Sequence, residues 1–195
     1  TSNLFGNKWV FKILKKAEHW VENATEPNVL KGLGIRVAGI CPSYLGEVDL
    51  PITLRPDGRT KVFVSSGEGR QEEYGFSIVE RIAGELPWVE FHLYGAPWET
   101  KHSNVIVHGR VPKEQMNEQT AKMQVGLRLN EFDGFSEILA KAVLRGQYAI
   151  GKVPHNYIPS FENDLELILR LNRLRKMIKP NLMVRAWYRE HLNKY

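Results

Sequence analysis

The sequence has almost no cysteine and no long apolar run. Cys41 is the only cysteine among 195 residues, so an intrachain disulfide is impossible and a reducing, cytoplasmic environment is expected. The mean hydropathy is −0.35, and no apolar run approaches the ~20 residues that a transmembrane helix needs. No charged and apolar leader opens the sequence at Thr1, so we expect no secretory signal here and allow for upstream residues.

The motifs of several catalytic classes are also missing. The six histidines show no paired metal-ligand spacing and no Asp-x-Asp occurs, so we expect neither a metal nor a cofactor. There is no Gly-x-Ser-x-Gly and no Walker-type loop. Gly67 and Gly69 match only the Gly-x-Gly part of a dinucleotide fingerprint, which is weak evidence for a site.

The charge leaves several ligand classes open. A net charge of +5 suits phosphate-bearing ligands, anionic lipid or nucleic acid about equally well. Because the basic residues are spread along helical stretches with acidic residues between them, we expect no nucleic-acid partner. Two basic amphipathic stretches, residues 8–16 and 170–179, suit either an anionic membrane surface or, more commonly, helices docked on the core.

Short apolar runs alternate with helical periods, which is typical of βαβ units and predicts an α/β fold with a parallel sheet. We predict strands at residues 18–23, 35–40, 61–65, 89–94, 105–108, 125–129 and 148–150. We predict helices at residues 8–16, 25–34, 75–83, 112–122, 136–145, 163–178 and 181–193. Residues 41–60 contain three prolines and no clear period, so we interpret them as a linker.

Parallel sheets bind ligands at the carboxyl ends of their strands. The candidate loops are therefore residues 66–70, 109–111, 130–137 and 151–158.

Residues 127–146 form the most informative segment, a predicted strand, polar turn and helix. Gly134 permits a positive φ or the close approach of a ligand, and Ser136 is a favourable N-cap. Gly146 stands where a left-handed C-cap belongs. The free N–H groups and the dipole of the first helical turn would suit a diphosphate, although an ordinary strand-to-helix turn has the same features.

Asp133-Gly134-Phe135-Ser136, followed by residues 139–142 and Gly146, resembles the carboxyl-terminal signature of retaining GT-B glycosyltransferases. That signature has an acidic residue, Gly-Phe-Gly or similar, a second acidic residue eight positions after the first, Ala and a closing Gly. Residues 63–70 and 105–111 resemble two strand-and-loop units of the same domain, and residues 19–43 resemble the end of its partner domain.

The resemblance implies a Rossmann-like parallel sheet flanked by helices, one half of a GT-B protein, with a remnant of the partner domain at the amino terminus. Residues 1–45 would end the amino-terminal domain and residues 46–60 would be the linker. Residues 61–180 would form the nucleotide-sugar-binding domain, and residues 181–195 a terminal crossover helix.

The resemblance also assigns roles at the signature. Asp133 would contact the donor sugar and is the candidate catalytic residue. Gly134, Phe135 and Ser136 would hold donor hydroxyls and phosphate. Lys141 occupies the second acidic position, where the family binds the ribose hydroxyls. Because an ammonium cannot accept those hydrogen bonds, Lys141 would contact phosphate instead or would pair with Glu137.

The remaining donor-binding candidates lie in the other loops. The resemblance places Arg70 near the arginine that neutralises the phosphates and Tyr74 at the position of the accompanying lysine; Arg70 as a solvated loop residue is nearly as well supported. Arg128 would face the donor phosphates or pair with Glu131 or Asp133. Gly67, Gly69 and Gly109 complete the donor-binding set.

The resemblance therefore implies transfer of a sugar from a nucleoside-diphosphate sugar to a glycan or lipid-linked acceptor, with retention and without metal. We expect a cytoplasmic protein that contacts the inner membrane face at most peripherally. The alternative hypothesis is a non-catalytic nucleotide-binding or protein-interaction module derived from such a domain.

Overall fold

The computed structural model describes residues 8–23, 26–54, 58–177 and 179–194. In these ranges the strands are β1 (His19–Val21), β2 (Val37–Ile40), β3 (Thr60–Ser65), β4 (Val89–Tyr94), β5 (Val105–Gly109), β6 (Val125–Arg128) and β7 (Tyr148–Gly151). The α-helices there are α1 (Lys8–Leu14), α2 (Glu26–Gly32), α3 (Phe76–Ile82), α4 (Lys113–Thr120), α5 (Glu137–Leu144), α6 (Asp164–Leu174) and α7 (Leu182–Leu192).

The main sheet has five strands in the order β5-β4-β3-β6-β7, and every neighbouring pair is parallel. Each connection between its strands is therefore a crossover, and three of the four crossovers carry an α-helix: α3, α4 and α5. The predicted Rossmann-like parallel sheet flanked by helices is confirmed. Strand order reverses between β3 and β6, which are adjacent in the sheet although β4 and β5 lie between them in sequence.

The sheet is covered by helices on both faces because its strands carry apolar residues on both sides. In β3, Val62 and Val64 pack in the cluster that includes residues of α3 and α6, whereas Phe63 packs in the cluster with α5 and α7. These three side chains are at most 2% exposed. A strand buried on both faces has the continuous apolar run that is typical of parallel sheets.

The amino-terminal segment forms a second, smaller sheet. β1 and β2 pair in parallel, with His19 opposite Val37 and Val21 opposite Ile40. Residues 41–54 have no regular secondary structure but contact the main domain. Tyr44 packs against the core cluster that contains Phe63, and Arg185 Nη2 donates to Leu50 O at 2.7 Å. The domain boundaries themselves stay predictions.

The predicted helix at residues 163–178 is too long. Its N-cap is correct, because Asn163 Oδ1 accepts a hydrogen bond from Glu166 N at 3.0 Å, but α6 ends at Leu174. Beyond Leu174 the backbone bonds three residues back, Lys176 N to Arg173 O and Met177 N to Leu174 O, so the chain leaves the α-helix through tighter turns. Residue 178 lies outside the described residues.

The terminal helix α7 is anchored by Tyr188, which is 3% exposed and packs in the same core cluster as α5. The helix therefore belongs to the packing of the main domain.

None of the described helices combines the length and apolar character needed to span a bilayer.

A buried amide ties the end of α4 to the start of β7. Gln147 is fully buried, and its Nε2 donates to Thr120 O and Met123 O at 2.7 Å and to Ala121 O at 3.2 Å.

Gln147→Ala removes all three hydrogen bonds from a buried site, so we expect the free energy of unfolding to fall by about 2–3 kcal/mol in urea denaturation. The matched control is Gln115→Ala on the exposed face of α4, which should change stability by less than about 0.5 kcal/mol; equal effects would contradict the assignment.

Candidate functional site

The reversal of strand order between β3 and β6 places the candidate site. The chain leaves β3 toward one side of the sheet and leaves β6 toward the other, so a crevice opens at their carboxyl ends. Residues 66–70 follow β3 and residues 129–136 follow β6. Two of the four predicted ligand loops thus flank the same crevice.

Asp133 is held in the crevice by Arg128. Arg128 Nε and Nη2 donate to the two carboxylate oxygens of Asp133, both at 2.9 Å. The two side chains are 17% and 9% exposed. Of the partners we considered for Arg128, Asp133 is therefore the correct one. A bidentate pair of this kind fixes the orientation of both groups.

The ring of Tyr74 contacts the guanidinium groups of two arginines. The guanidinium carbon of Arg128 lies 4.5 Å from the centroid of its ring, and that of Arg70 lies 4.9 Å from it. Both distances are within the range of cation–π attraction. The aromatic residue at the position of the family's lysine therefore brings two positive charges together, although it carries none itself.

Arg70 lies on the exposed side of this cluster. Its Nε donates to Glu73 Oε2 at 2.8 Å, and this hydrogen bond holds the pKa of the Glu73 carboxyl below its usual value. The side chains are 53% and 51% exposed, so water screens the pair and its partners can be exchanged at little cost. Arg70 is thus both solvated and close to the buried arginine.

The glycine-bearing loops lie on the exposed rim. Gly69 and Gly109 have φ angles of 72° and 64°, in the left-handed region that favours glycine. Arg110 Nη1 lies 3.1 Å from Glu68 Oε2 and links the loop after β5 to the loop after β3. With Gly67 exposed as well, all the predicted glycines of these loops lie at the surface of the carboxyl edge.

The signature helix α5 begins and ends as predicted. Ser136 is its N-cap, and its Oγ accepts from Leu139 N at 3.4 Å. Gly146 has a φ of 73°, as the left-handed C-cap requires. The first turn of α5 therefore directs its N–H groups and the positive end of its dipole toward the crevice.

The turn before α5 is contacted by the chain's own amino-terminal segment. Glu22 Oε2 accepts from Phe135 N at 2.9 Å, and Asn23 Nδ2 donates to Asp133 O at 3.0 Å and Gly134 O at 3.2 Å. A Cβ at residue 134 would lie 1.7 Å from Glu22 Oε2. Gly134 thus permits close approach, as predicted, but the approaching group here is Glu22.

The sequence analysis missed Glu22 and Asn23. They follow β1 directly, and β1 is one strand of a parallel pair. The carboxyl end of a parallel strand is where ligand-binding residues are found, so their position in the chain was the available signal. Nothing local indicated that they reach a turn more than a hundred residues away.

A cavity of about 310 Å³ lies between this segment and the main domain. Glu22 and Phe135 form one wall, beside the turn. The other lining residues come from the chain after β1, the end of β2 and the residues after it, the loop after β7, and α7: Asn23, Ile40, Pro42, Pro154, His155, Asn156, Trp187, Tyr188 and His191. Its volume is at the lower end of the range for small-molecule pockets.

His155 is a second residue that the sequence analysis did not single out. Its Nε2 is buried and has no hydrogen-bond partner among the described residues. Burial lowers the pKa of the imidazole, while the nearby charge of Asp133 acts in the opposite direction. Burial therefore favours the uncharged form of the His155 imidazole.

Lys141, further along α5, already has two side-chain partners. Its Nζ lies 2.7 Å from Glu137 Oε1 and donates to Asn117 Oδ1 at 3.2 Å. Lys113 Nζ lies 3.5 Å from the same Glu137 oxygen. The two lysines, Lys141 first, hold the pKa of the Glu137 carboxyl below its usual value. The pairing with Glu137 that the spacing predicted is present.

The structure thus brings together Arg70, Arg128 and Asp133 around Tyr74, with Gly134, Phe135 and Ser136 immediately beside them. Gly67, Gly69 and Gly109 lie on the rim, and Lys141 lies further along α5. No group of three His, Cys, Asp or Glu side chains suited to a metal ion occurs in the part of the chain that the structure describes. Arginine side chains and helix amino termini are the kinds of group that bind phosphate oxygens.

No family model and no curated protein matches the sequence. Solved structures do match its fold. Sucrose-phosphate synthase from Thermosynechococcus elongatus has a TM-score of 0.72 at 13% identity, over 95% of this chain and 56% of that protein. The lipopolysaccharide outer core galactosyltransferase WaaB has a TM-score of 0.71 at 14% identity, over 98% and 64%. Anabaena HepE, solved with UDP and glucose, has a TM-score of 0.72 at 11% identity, over 99% and 62%.

These neighbours are glycosyltransferases of the GT-B fold. The match extends over almost all of this chain and about half of each neighbour, so the chain has the fold of one half of a GT-B protein. The chain spans 56%, 64% and 62% of the lengths of these three proteins.

The contact of Glu22 with the signature turn can be tested by a double-mutant cycle. Gly134→Ala places a methyl group where the Glu22 carboxylate lies, so it should displace Glu22 and cost about 1–2 kcal/mol in urea denaturation. In a Glu22→Ala background the same change should cost close to nothing.

The matched control is Gly67→Ala, because a Cβ there would meet only Arg70 Cδ at 3.7 Å. Additive effects of Gly134→Ala and Glu22→Ala would show that the two groups do not contact each other in solution.

Proposed function

We propose that this chain binds a nucleoside-diphosphate sugar at the carboxyl edge of its main sheet and supplies the donor half of a glycosyltransferase site. The observation that carries the proposal is the cluster at the strand-order reversal. Two arginines lie over Tyr74, one of them holds Asp133 in a bidentate pair, and the amino terminus of α5 lies beside them.

The diphosphate would lie between Arg70, Arg128 and the first turn of α5. Arginine matches phosphate oxygens with two parallel donors, and a helix amino terminus adds backbone N–H groups and a favourable dipole. Each arginine already has a carboxylate partner, Glu73 or Asp133. The phosphate therefore has to exchange with or share these partners, and we expect affinity to fall as salt concentration rises.

Asp133 would orient the donor sugar. Its two oxygens each accept one hydrogen bond from Arg128 and keep lone pairs for sugar hydroxyls. As the bond to the sugar breaks, negative charge grows on the departing diphosphate, and Arg70, Arg128 and the α5 terminus lie where they would stabilise it. This electrostatic role is the mechanism that we propose, with retention of configuration and no metal as parts of the same proposal.

The nucleotide end would lie toward Glu137 and Lys141. Lys141 cannot accept hydrogen bonds from ribose hydroxyls, but Glu137, one helical turn earlier, presents a carboxylate between two lysines. A smaller cavity of about 160 Å³ there is lined by Lys113, Asn117, Glu137 and Lys141, among others. We propose that the ribose or the adjacent phosphate binds at this cavity.

The acceptor, a glycan or a lipid-linked sugar, would bind across the cleft from the donor. Most of the partner domain is outside this chain, so we propose donor binding by the chain and turnover only together with such a domain. Contact with an anionic membrane face is a further proposal. It is supported by α1, where Trp9 and Ile13 are 69% and 46% exposed among lysines.

The paired state of Lys141 supports a second candidate function. Lys141 stands where the family's ribose-binding carboxylate would be and is paired with Glu137. If no other group replaces that carboxylate, the chain would be a non-catalytic module that keeps the fold and binds a nucleotide or another protein. The two functions differ in whether the sugar part of the ligand contributes to affinity.

Donor binding can be measured by calorimetry with UDP, UDP-glucose and the corresponding guanosine pair, GDP and GDP-mannose. We expect the wild-type chain to bind one nucleotide sugar below millimolar concentration and more tightly than the nucleotide alone. Asp133→Ala should weaken the nucleotide sugar about tenfold, the loss of one or two hydrogen bonds to a charged group. Affinity for the nucleotide alone should not fall, because Arg128 is then free to bind phosphate.

Lys141→Glu restores a carboxylate at the family's ribose position and should strengthen nucleotide binding if that position is still used. Lys122→Glu, an exposed change of the same charge, is the control. If no nucleotide sugar binds at millimolar concentration, the proposed function is wrong. If nucleotides bind but the sugar adds nothing, the module is the better description.

A further inference from the structure

The turn that would hold the donor sugar carries a negative charge from the amino-terminal segment. Glu22 Oε2 accepts from Phe135 N at 2.9 Å, and both residues line the 310 Å³ cavity beside the turn. No lysine or arginine among the described residues pairs with Glu22. Of its two carboxylate oxygens, Oε1 has no partner in the described part of the chain and remains able to accept a hydrogen bond.

The neighbouring charged groups do not offset this negative charge. Asp133 and Arg128 neutralise each other in their bidentate pair. Burial lowers the pKa of both His155 and His191, which favours the uncharged form of the two imidazoles on the cavity wall. Lys194, which also lowers the pKa of His191, is paired with Glu190 at 3.1 Å.

The rest of the lining is neutral. The amide of Asn156 offers hydrogen-bond donors and an acceptor, and Trp187 and Tyr188 offer aromatic surface. The space next to the turn therefore combines one unneutralised carboxylate with neutral polar and apolar groups. Such a surface accepts hydroxyl groups readily and repels a second carboxylate.

We propose that Glu22 determines which donors this site takes: neutral hexoses, whose hydroxyls donate to the carboxylate, and not hexuronic acids. The proposal rests on the proposed function, because it assumes that the donor sugar lies against the turn at residues 133–136. It goes further in naming the class of sugar and in assigning its selection to the amino-terminal segment rather than to the signature itself.

The magnitude follows from Coulomb attraction and repulsion. Two unit charges 4 Å apart interact by about 1 kcal/mol in bulk water and by more at a partly buried site. One carboxylate facing another at this range should therefore reduce affinity by about tenfold or more. Removing the charge of Glu22 should abolish most of that difference.

The test compares donors that differ only at C6, where a hydroxymethyl group is replaced by a carboxylate. Dissociation constants of UDP-glucose and UDP-glucuronate, and of GDP-mannose and GDP-mannuronate, are measured by calorimetry with the wild-type chain. They are then measured with Glu22→Gln, which removes the charge but keeps an oxygen that can accept from Phe135 N. Glu18→Gln is the matched control, because Glu18 is an exposed carboxylate on the same segment, paired with Arg36.

The wild-type chain and Glu18→Gln are expected to favour the neutral sugar about tenfold or more, and Glu22→Gln to bring the two affinities within about threefold. Equal affinity of the wild-type chain for both sugars overturns the inference, and this result does not depend on the variant folding. A preference that persists in Glu22→Gln also overturns it. If neither pair binds while the nucleotide alone does, or if nothing binds, it is the proposed donor site that fails.

Discussion

The parallel pairing of β3 with β6 is the constraint on which the rest of the molecule depends. Val62 pairs with Val125 and Val64 with Leu127, although two strands and two helices lie between them in sequence. Gly126 makes the close packing of β6 feasible, because a Cβ there would lie 3.0 Å from both Phe63 Cζ and Ala142 Cβ. Without this pairing there is no reversal of strand order and no crevice at the carboxyl edge.

Two ion pairs, Arg70 with Glu73 and Arg128 with Asp133, determine which charged groups of the crevice can bind a ligand. Its cations are neither free nor deeply buried: Arg70 is paired in water with Glu73, whereas Arg128 and Asp133 are largely shielded from it. An exposed pair is easily exchanged, but a shielded pair loses much more when one partner is removed. Arg70 is therefore suited to meeting an incoming phosphate, and Arg128 is suited to keeping Asp133 in one orientation.

Local features of the structure were predictable from the sequence. The N-cap at Ser136 and the left-handed residue at Gly146 follow from turn and cap chemistry that operates within a few residues. The strands of the main sheet followed from continuous apolar runs between turn residues. The end of α6 was misplaced because the apolar period continues past Leu174, although the backbone there changes to i→i+3 hydrogen bonds.

Long-range contacts were not predictable in this way. Glu22 and Phe135 are more than a hundred residues apart, and nothing in the spacing of either segment indicates that they meet. The role of Tyr74 was hidden for a different reason, since its ring matters through two arginines that come from separate strand ends. The fold and the signature turn therefore came from local patterns, whereas the charge balance of the site came only from the three-dimensional structure.

Binding of a nucleoside-diphosphate sugar at the carboxyl ends of β3 and β6 can be mapped by amide chemical shifts in NMR during titration with UDP-glucose or GDP-mannose. We expect the shifts to be concentrated in residues 66–70 and 128–137, with those of Phe135 and Ser136 among the largest. Shifts confined to the opposite edge of the sheet or to the exposed face of α6, or no saturable shifts at all, would contradict it.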